Sequence, residues 1–154
     1  MSAYRIRPAT PEDLDAVLHH RRRMFEQMGF TEPRALDEMV VNAAPLFRRG
    51  LSDGSYRGWL VEDPGGGIVA GGGVIILEYH PNPADTVPRR AWVVNMFTEP
   101  AHRRRGLARR LMETMVGWCR TEGMRHLYLH ASDDGRALYE SLGFAPTNEM
   151  RLDL

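Results

Sequence analysis

The sequence has 154 residues, 43% hydrophobic and 26% charged, the size and balance of one domain able to bury a core. Its 20 basic and 20 acidic side chains cancel, so any basic site must be local rather than a property of the whole surface. Every basic residue is Arg, which excludes a Gly-Lys-Ser/Thr phosphate loop and lysine Schiff-base chemistry, and the single Cys119 excludes an internal disulfide and a zinc ribbon. Cys119 sits in a helical apolar pattern and reads as a small core residue. The N-terminus lacks the apolar core of a signal peptide, and the apolar stretch from Ile68 to Leu77 is too short and glycine-rich to span a membrane. The expectation is a single domain over residues 1–154, cytoplasmic, with no membrane partner.

Tyr4 to Arg7 alternates as a short strand, and Thr10, Pro11 and Asp13 supply the N-cap, first-turn proline and acidic third position of a helix. Leu14, Val17, Leu18, Phe25 and Met28 give that helix its apolar stripe up to Gly29. A second helix runs from about Pro33 to Phe47 on Leu36, Met39, Val40, Ala43 and Phe47. Tyr56 to Val61 and Ile68 to Leu77 read as a hairpin joined by the Asp63 to Gly67 turn, with Gly71 to Gly73 marking a bulge or close packing. The proline-rich segment from Pro81 to Pro88 is a surface loop, and Ala91 to Thr98 a largely buried strand ended by Pro100. A long helix follows on Leu107, Leu111, Met115 and Cys119, ending near Gly123. His126 to His130 is the next strand, Gly135 to Leu142 a short helix, and Phe144 to Leu154 contains at least one last strand. This order gives a mixed α/β sheet.

Between the buried strand and the long helix lies Pro100-Ala101-His102-Arg103-Arg104-Arg105-Gly106-Leu107-Ala108. A helix starting there offers unpaired N–H groups and the positive end of its dipole to an anion; Gly106 lets the backbone approach, and five arginines from 103 to 110 add charge. Together these suit a pyrophosphate with a further phosphate, although charge alone fits a solvated helix start equally well. His126 and His130 stand four apart on a strand, about 13 Å, and cannot share a metal, so no metal site is expected. His19, His20 and Arg21 to Arg23 read as a solvated helix face.

Arg103, Gly106 and Ala108 match the (Gln/Arg)-x-x-Gly-x-(Gly/Ala) acetyl-CoA signature, and the chain thereby resembles the GCN5-related N-acetyltransferase (GNAT) superfamily. Two more segments carry the resemblance: Val94 to Pro100 is similar to the family's central strand and closing turn, and Leu138-Tyr139-Glu140-Ser141-Leu142-Gly143-Phe144 to its Leu-Tyr-x-x-x-Gly-Phe helix and turn. Ile6 to Leu14 resembles its first strand and helix, so the likeness extends along nearly the whole chain in order. It implies an α/β GNAT fold, a mixed and mostly antiparallel sheet splayed at its centre and flanked by helices. It also implies acetyl-CoA as co-substrate and a small-molecule or peptide amine as acceptor, and it allows a homodimer. By the resemblance, the backbone of Phe97 and Thr98 binds the acyl and pantetheine end. Arg104, Arg105, Gly106, Leu107 and Ala108 cradle the pyrophosphate through N–H groups, and Arg103 sets the turn. Where the family often has Asn followed by Ala at the next helix, this chain has Ser132 and Gly135; Ser132 can cap that helix or bind an amide.

Tyr139 is the candidate general acid, since CoA leaves as a thiolate and a phenol is protonated at pH 7. The place where some members carry a basic carboxylate falls near Trp92, leaving Glu78, Glu99, His130 and Glu149 as candidate bases. Asn95, alternating with Val94 and Met96, should present its amide on the sheet face opposite theirs. Glu149 falls in the strand the family places across the acceptor cavity, so Asn95 and Glu149 are candidate substrate-orienting residues. The expected function is direct acetyl transfer from acetyl-CoA to an amine in a ternary complex. The alternative is a catalytically idle acyl-CoA binding or sensing module. A nucleic-acid partner is disfavoured by the zero net charge and the lack of aromatics among Arg103 to Arg110.

Overall fold

A computed structural model describes residues 4–154. Its five strands, β1 (Arg5–Pro8), β2 (Tyr56–Glu62), β3 (Ile68–Glu78), β4 (Arg89–Thr98) and β5 (Leu127–Tyr128), form one sheet in the order β1-β2-β3-β4-β5. The first three pairings are antiparallel and β4 with β5 is parallel. Helices α1 (Leu14–Gln27) and α2 (Pro33–Asp53) pack on one face, where Val17, Ala43, Phe47 and Tyr56 form a buried cluster. Helix α3 (Leu107–Thr121) covers the other, burying Leu107, Leu111, Met112, Met115 and Cys119 against Val61, Val74, Ala91 and Val93. The alternation of inward apolar positions in the hairpin and the helical spacing of the α3 stripe dictate this two-sided core. Helix α4 (Asp133–Ser141) completes the order.

Glycines 71 to 73 serve both faces at the sheet centre. A Cβ on Gly71 would stand 2.9 Å from His20 Nδ1, one on Gly73 would enter the Tyr56 ring, and one on Gly72 would meet Met96 Sδ on the opposite face. The glycine run thus admits side chains from both helical layers into β3, as bulge and close packing together.

Three expectations change. Helix α2 continues past Phe47 to Asp53 and closes at Gly54, whose φ is 85°. It passes through Pro45, whose hydrogen-bond partner position, Val41, is 69% exposed, so water can take the freed carbonyl. Arg48 and Arg49 break the apolar pattern, but Gly50 is buried against Tyr56 and carries the extra turn onto β2. Strand β5 is only Leu127–Tyr128, shorter than the segment from His126 to His130. The segment from Phe144 to Leu154 contains no strand. Met150, Leu152 and Leu154 alternate as a strand should but are 93%, 80% and 114% exposed; beside so short a β5 there is little edge to pair with.

The loop before β4 is pinned from below. Asp85 is buried, pairs with buried Arg90 at 3.3 Å, contacts His126 Nδ1 at 2.9 Å and accepts from the Val87 N–H at 3.1 Å. Arg90 in turn donates to the Val87 carbonyl at 2.8 Å.

On α1, His20 is 2% exposed with its ring 5.0 Å from that of Phe97, against the expectation of a solvated face. Burial lowers its pKa from 6.5 to about 4. The unfolded chain therefore binds a proton below pH 6.5 that the folded chain refuses, and stability should be full above pH 6.5 and fall progressively toward pH 4, by about 3 kcal/mol. Asp13, held down to about 2 by its hydrogen bond from Arg7, adds a separate loss between pH 3.8 and 2. Urea melts across pH 4 to 7.5 should show the first slope in the wild type and its absence in His20→Gln; an equal slope in both would refute the assignment.

Candidate active site

The central strand departs from ideal pleating where the site lies. Gly71 pairs with Phe97 and Gly73 with Val94, so Asn95 and Met96 together oppose Gly72, a bulge. Asn95 takes a φ of 65°, a left-handed conformation that Asn tolerates better than most residues. Its buried amide nitrogen donates to the Val17 carbonyl of α1 at 2.9 Å. Asn95 does not face away from Val94 as simple alternation predicts. Asn95 lies on the same side as Val94, which packs on the α1 and α2 cluster, while Met96 packs on the α3 side. The bulge turns the strand by one residue and period-2 counting fails across it. Beyond the bulge β4 stays paired with β3 through Phe97 and Thr98, but its other edge is open, since β5 pairs only with Ala91 and Trp92, and the sheet is splayed there.

After Thr98 the chain makes a 3-10 turn over Pro100–His102, and Arg103 is extended. Arg104 (φ 59°) and Gly106 (φ 75°) are both left-handed, and α3 begins at Leu107. Among the described residues the N–H groups of Arg104, Arg105 and Gly106 form no backbone hydrogen bond, and those of Leu107 and Ala108 are in the first helical turn, which has no intrahelical acceptors. Backbone donors around left-handed residues at a helix N-terminus form a nest suited to phosphate oxygens. Space for the anion is open: a Cβ placed on Gly106 meets nothing within 4 Å. Arg103 folds back instead, its Nε donating to the Thr98 carbonyl at 3.2 Å and Nη2 to Gln27 Oε1, which fixes the turn. Arg109 donates to Ser141 Oγ at 2.7 Å and ties α3 to α4. The donor set thus fits the pyrophosphate of acetyl-CoA.

Ser132 is the N-cap of α4, its Oγ accepting from the Gly135 N–H at 3.2 Å. Gly135 has its own reason: a Cβ there would lie 2.7 Å from Tyr139 Cε2, so the glycine lets that ring lie back along the helix. Tyr139 is half-buried, with Phe144 edge-on at 6.0 Å, and burial pushes its phenol up, keeping it protonated at neutral pH.

Glu99, at the end of β4, bonds His19 Nε2 at 3.0 Å. Glu149 is exposed and lies 3.9 Å from the more exposed His130, whose ring is tilted against Trp92 at 5.1 Å. Asn95 and Glu149 share no hydrogen bond among the described residues. Glu78 is exposed at the far end of β3. No group of three or more His, Cys, Asp or Glu among the described residues could hold a metal, and no described helix is long and apolar enough to cross a membrane.

Arg21 was missed. Its guanidinium lies inside the α1 and α2 layer, 5.2 Å from the Phe25 ring centre and 5.5 Å from that of Phe47. The signal was present: Arg21 fills the slot between Val17 and Phe25, four residues from each, in the apolar stripe.

The model of the Acetyltransferase (GNAT) family matches residues 14–144. A GCN5-related N-acetyltransferase from Ralstonia eutropha is 32% identical over 99% of both chains, with a TM-score of 0.92. A predicted acetyltransferase from Clostridium acetobutylicum, crystallised with acetyl-CoA, is 24% identical over 99% of this chain and 96% of its own, with a TM-score of 0.88. Glucosamine-6-phosphate N-acetyltransferase from Arabidopsis thaliana shares the fold at 16% identity, 99% and 98% coverage and a TM-score of 0.71. No curated protein matches the chain. The chain belongs to the GNAT family of acetyltransferases, and acetyl-CoA is its co-substrate.

Proposed function

We propose that this protein is a cytoplasmic, single-domain N-acetyltransferase that passes acetyl from acetyl-CoA to a small amine held beside it. The observation that carries this reading is the nest of N–H groups at Arg104 to Gly106, without backbone partners among the described residues, following the stretch of β4 that β5 leaves unpaired. Bound there, acetyl-CoA would supply an activated thioester. Arg104, Arg105, Gly106, Leu107 and Ala108 would bind its pyrophosphate through the backbone, and Phe97 and Thr98 would bind the acyl and pantetheine end along the unpaired part of β4. Ser132 would contribute by fixing the start of α4, and Tyr139 would hold a proton for the departing sulfur. On the acceptor side Asn95, which holds α1 against β4, and Glu149 would orient the amine, and the Glu149 carboxylate, next to His130, would take a proton through water. Amine-dependent thiol release from acetyl-CoA, measured across a panel of amines, tests the reading. Acetyl-CoA binding without transfer to any amine would favour an acyl-CoA sensing module instead.

A further inference from the structure

Helix α1 lies along β4 so that His19 meets Glu99, His20 meets Phe97 and Arg21 meets Asn95. Arg21 therefore stands at the bulge, on the face opposite α3, where an acceptor entering from the α1 and α2 side would arrive. Its neighbours on the same helix have acidic partners: Arg22 pairs with Glu26 at 3.0 Å and Asp37 at 2.6 Å, and Arg23 with Glu26 at 2.8 Å. Arg21 has none. Its only hydrogen bond among the described residues is a long one, 3.4 Å from Nη1 to Asn95 Oδ1, and its Nε is sealed from water without a partner. Phe25 and Phe47 cover the guanidinium's apolar surface and leave its Nε–H without a partner. Tyr56 is near, but burial keeps that phenol neutral. A half-buried guanidinium whose Nε is sealed and unpaired carries a desolvation cost, and a planar carboxylate is the group that matches its fork.

We propose that Arg21 is the anion-binding residue of the acceptor site and that the acceptor is a small amine carrying a carboxylate. This rests on the acetyl-transfer reading above. The same positive charge repels polycationic acceptors and sets the amine at a fixed distance from the anchored carboxylate.

The test compares thiol release with free amino acids against their α-amides, and with glucosamine against its 6-phosphate, in the wild type and in Arg21→Met, a substitution that keeps the stacking length without the charge. The proposal expects the acid to be preferred over its amide in the wild type. It expects Arg21→Met to raise the acid's KM about 10- to 100-fold, the range for losing charge-assisted hydrogen bonds, with acetyl-CoA affinity unchanged and the amide little affected. The melting temperature should hold or rise, since a half-buried charge without a counter-charge is removed; a structural role would lower it and leave the acid-to-amide ratio alone. Should Arg21→Met not fold, Arg21→Lys, which keeps the charge but not the fork, should still weaken the acid selectively. Amides used as well as acids, an unchanged ratio in the variants, or a preference for the sugar phosphate would overturn the proposal. If no amine is acetylated, calorimetric titration with the amino acids separates the two readings. Saturable binding lost in Arg21→Met sustains the anion site and removes only acetyl transfer, whereas no binding overturns the anion site.

Discussion

Gly106→Pro is expected to abolish acetyl-CoA binding, raising Kd by at least about 100-fold. Three consequences of one substitution act together. Proline fixes φ near −65°, whereas Gly106 sits at 75°. It removes one N–H from the nest, and the changed dihedral swings the flanking donors of Arg105 and Leu107 away from a common focus. Losing one charge-assisted hydrogen bond alone is worth about 1.5–3 kcal/mol, so loss of the concerted set exceeds a factor of 100. The fold should survive, because Gly106 is exposed and its Cβ direction is open. Circular dichroism would establish folding and calorimetry the affinity; an unchanged Kd in a folded variant would move the phosphate site elsewhere. Arg103→Ala should weaken binding much less, since its side chain is spent on Thr98 and Gln27 rather than on the nest.

Tyr139→Phe should leave acetyl-CoA affinity intact and lower kcat. General acids contribute about 10²- to 10⁴-fold, and the environment of this one argues for the lower end. Burial raises the Tyr139 phenol above its ordinary value, so it is reliably protonated but a weaker acid than a thiol of pKa near 8.5. Full proton transfer to the sulfur is then uphill, and the phenol's benefit is a hydrogen bond to the developing thiolate, completed by solvent. A loss of about 100-fold in kcat at saturating acceptor is expected, without change in the melting temperature beyond the small effect of one hydroxyl. Wild-type turnover in this variant would show that Tyr139 only packs against Phe144.

The turn before α3 was legible in the sequence because its requirements are local: a glycine at the left-handed position, a proline-ended strand before it and an amphipathic helix after it. The hairpin, α3 and the Ser132 cap were legible for the same reason. What counting could not foresee depends on partners distant in sequence. Asn95 changes face because β4 takes an extra residue opposite Gly72, which no period-2 pattern reveals. His20 and Arg21 read as solvated because they adjoin charged residues, yet Gly71 and the two phenylalanines make room for them. The alternation of Met150, Leu152 and Leu154 is a strand pattern without an edge to join, because strand formation needs a neighbour as well as a sequence.

The ties beneath the loop before β4 matter for redesigning the acceptor side. Asp85 and Arg90 are both buried and paired with one another, Asp85 also meeting His126 and the Val87 N–H and Arg90 the loop carbonyls, so the tip between them can vary while its two feet cannot. A transplanted loop that brought a different residue at either foot would strand the remaining charge inside the protein, one of the costlier defects a fold can carry. Loop exchange among relatives should therefore move residues 85 through 90 as one cassette, and acceptor preference is more safely altered from the α1 side, where Arg21 has no such dependants.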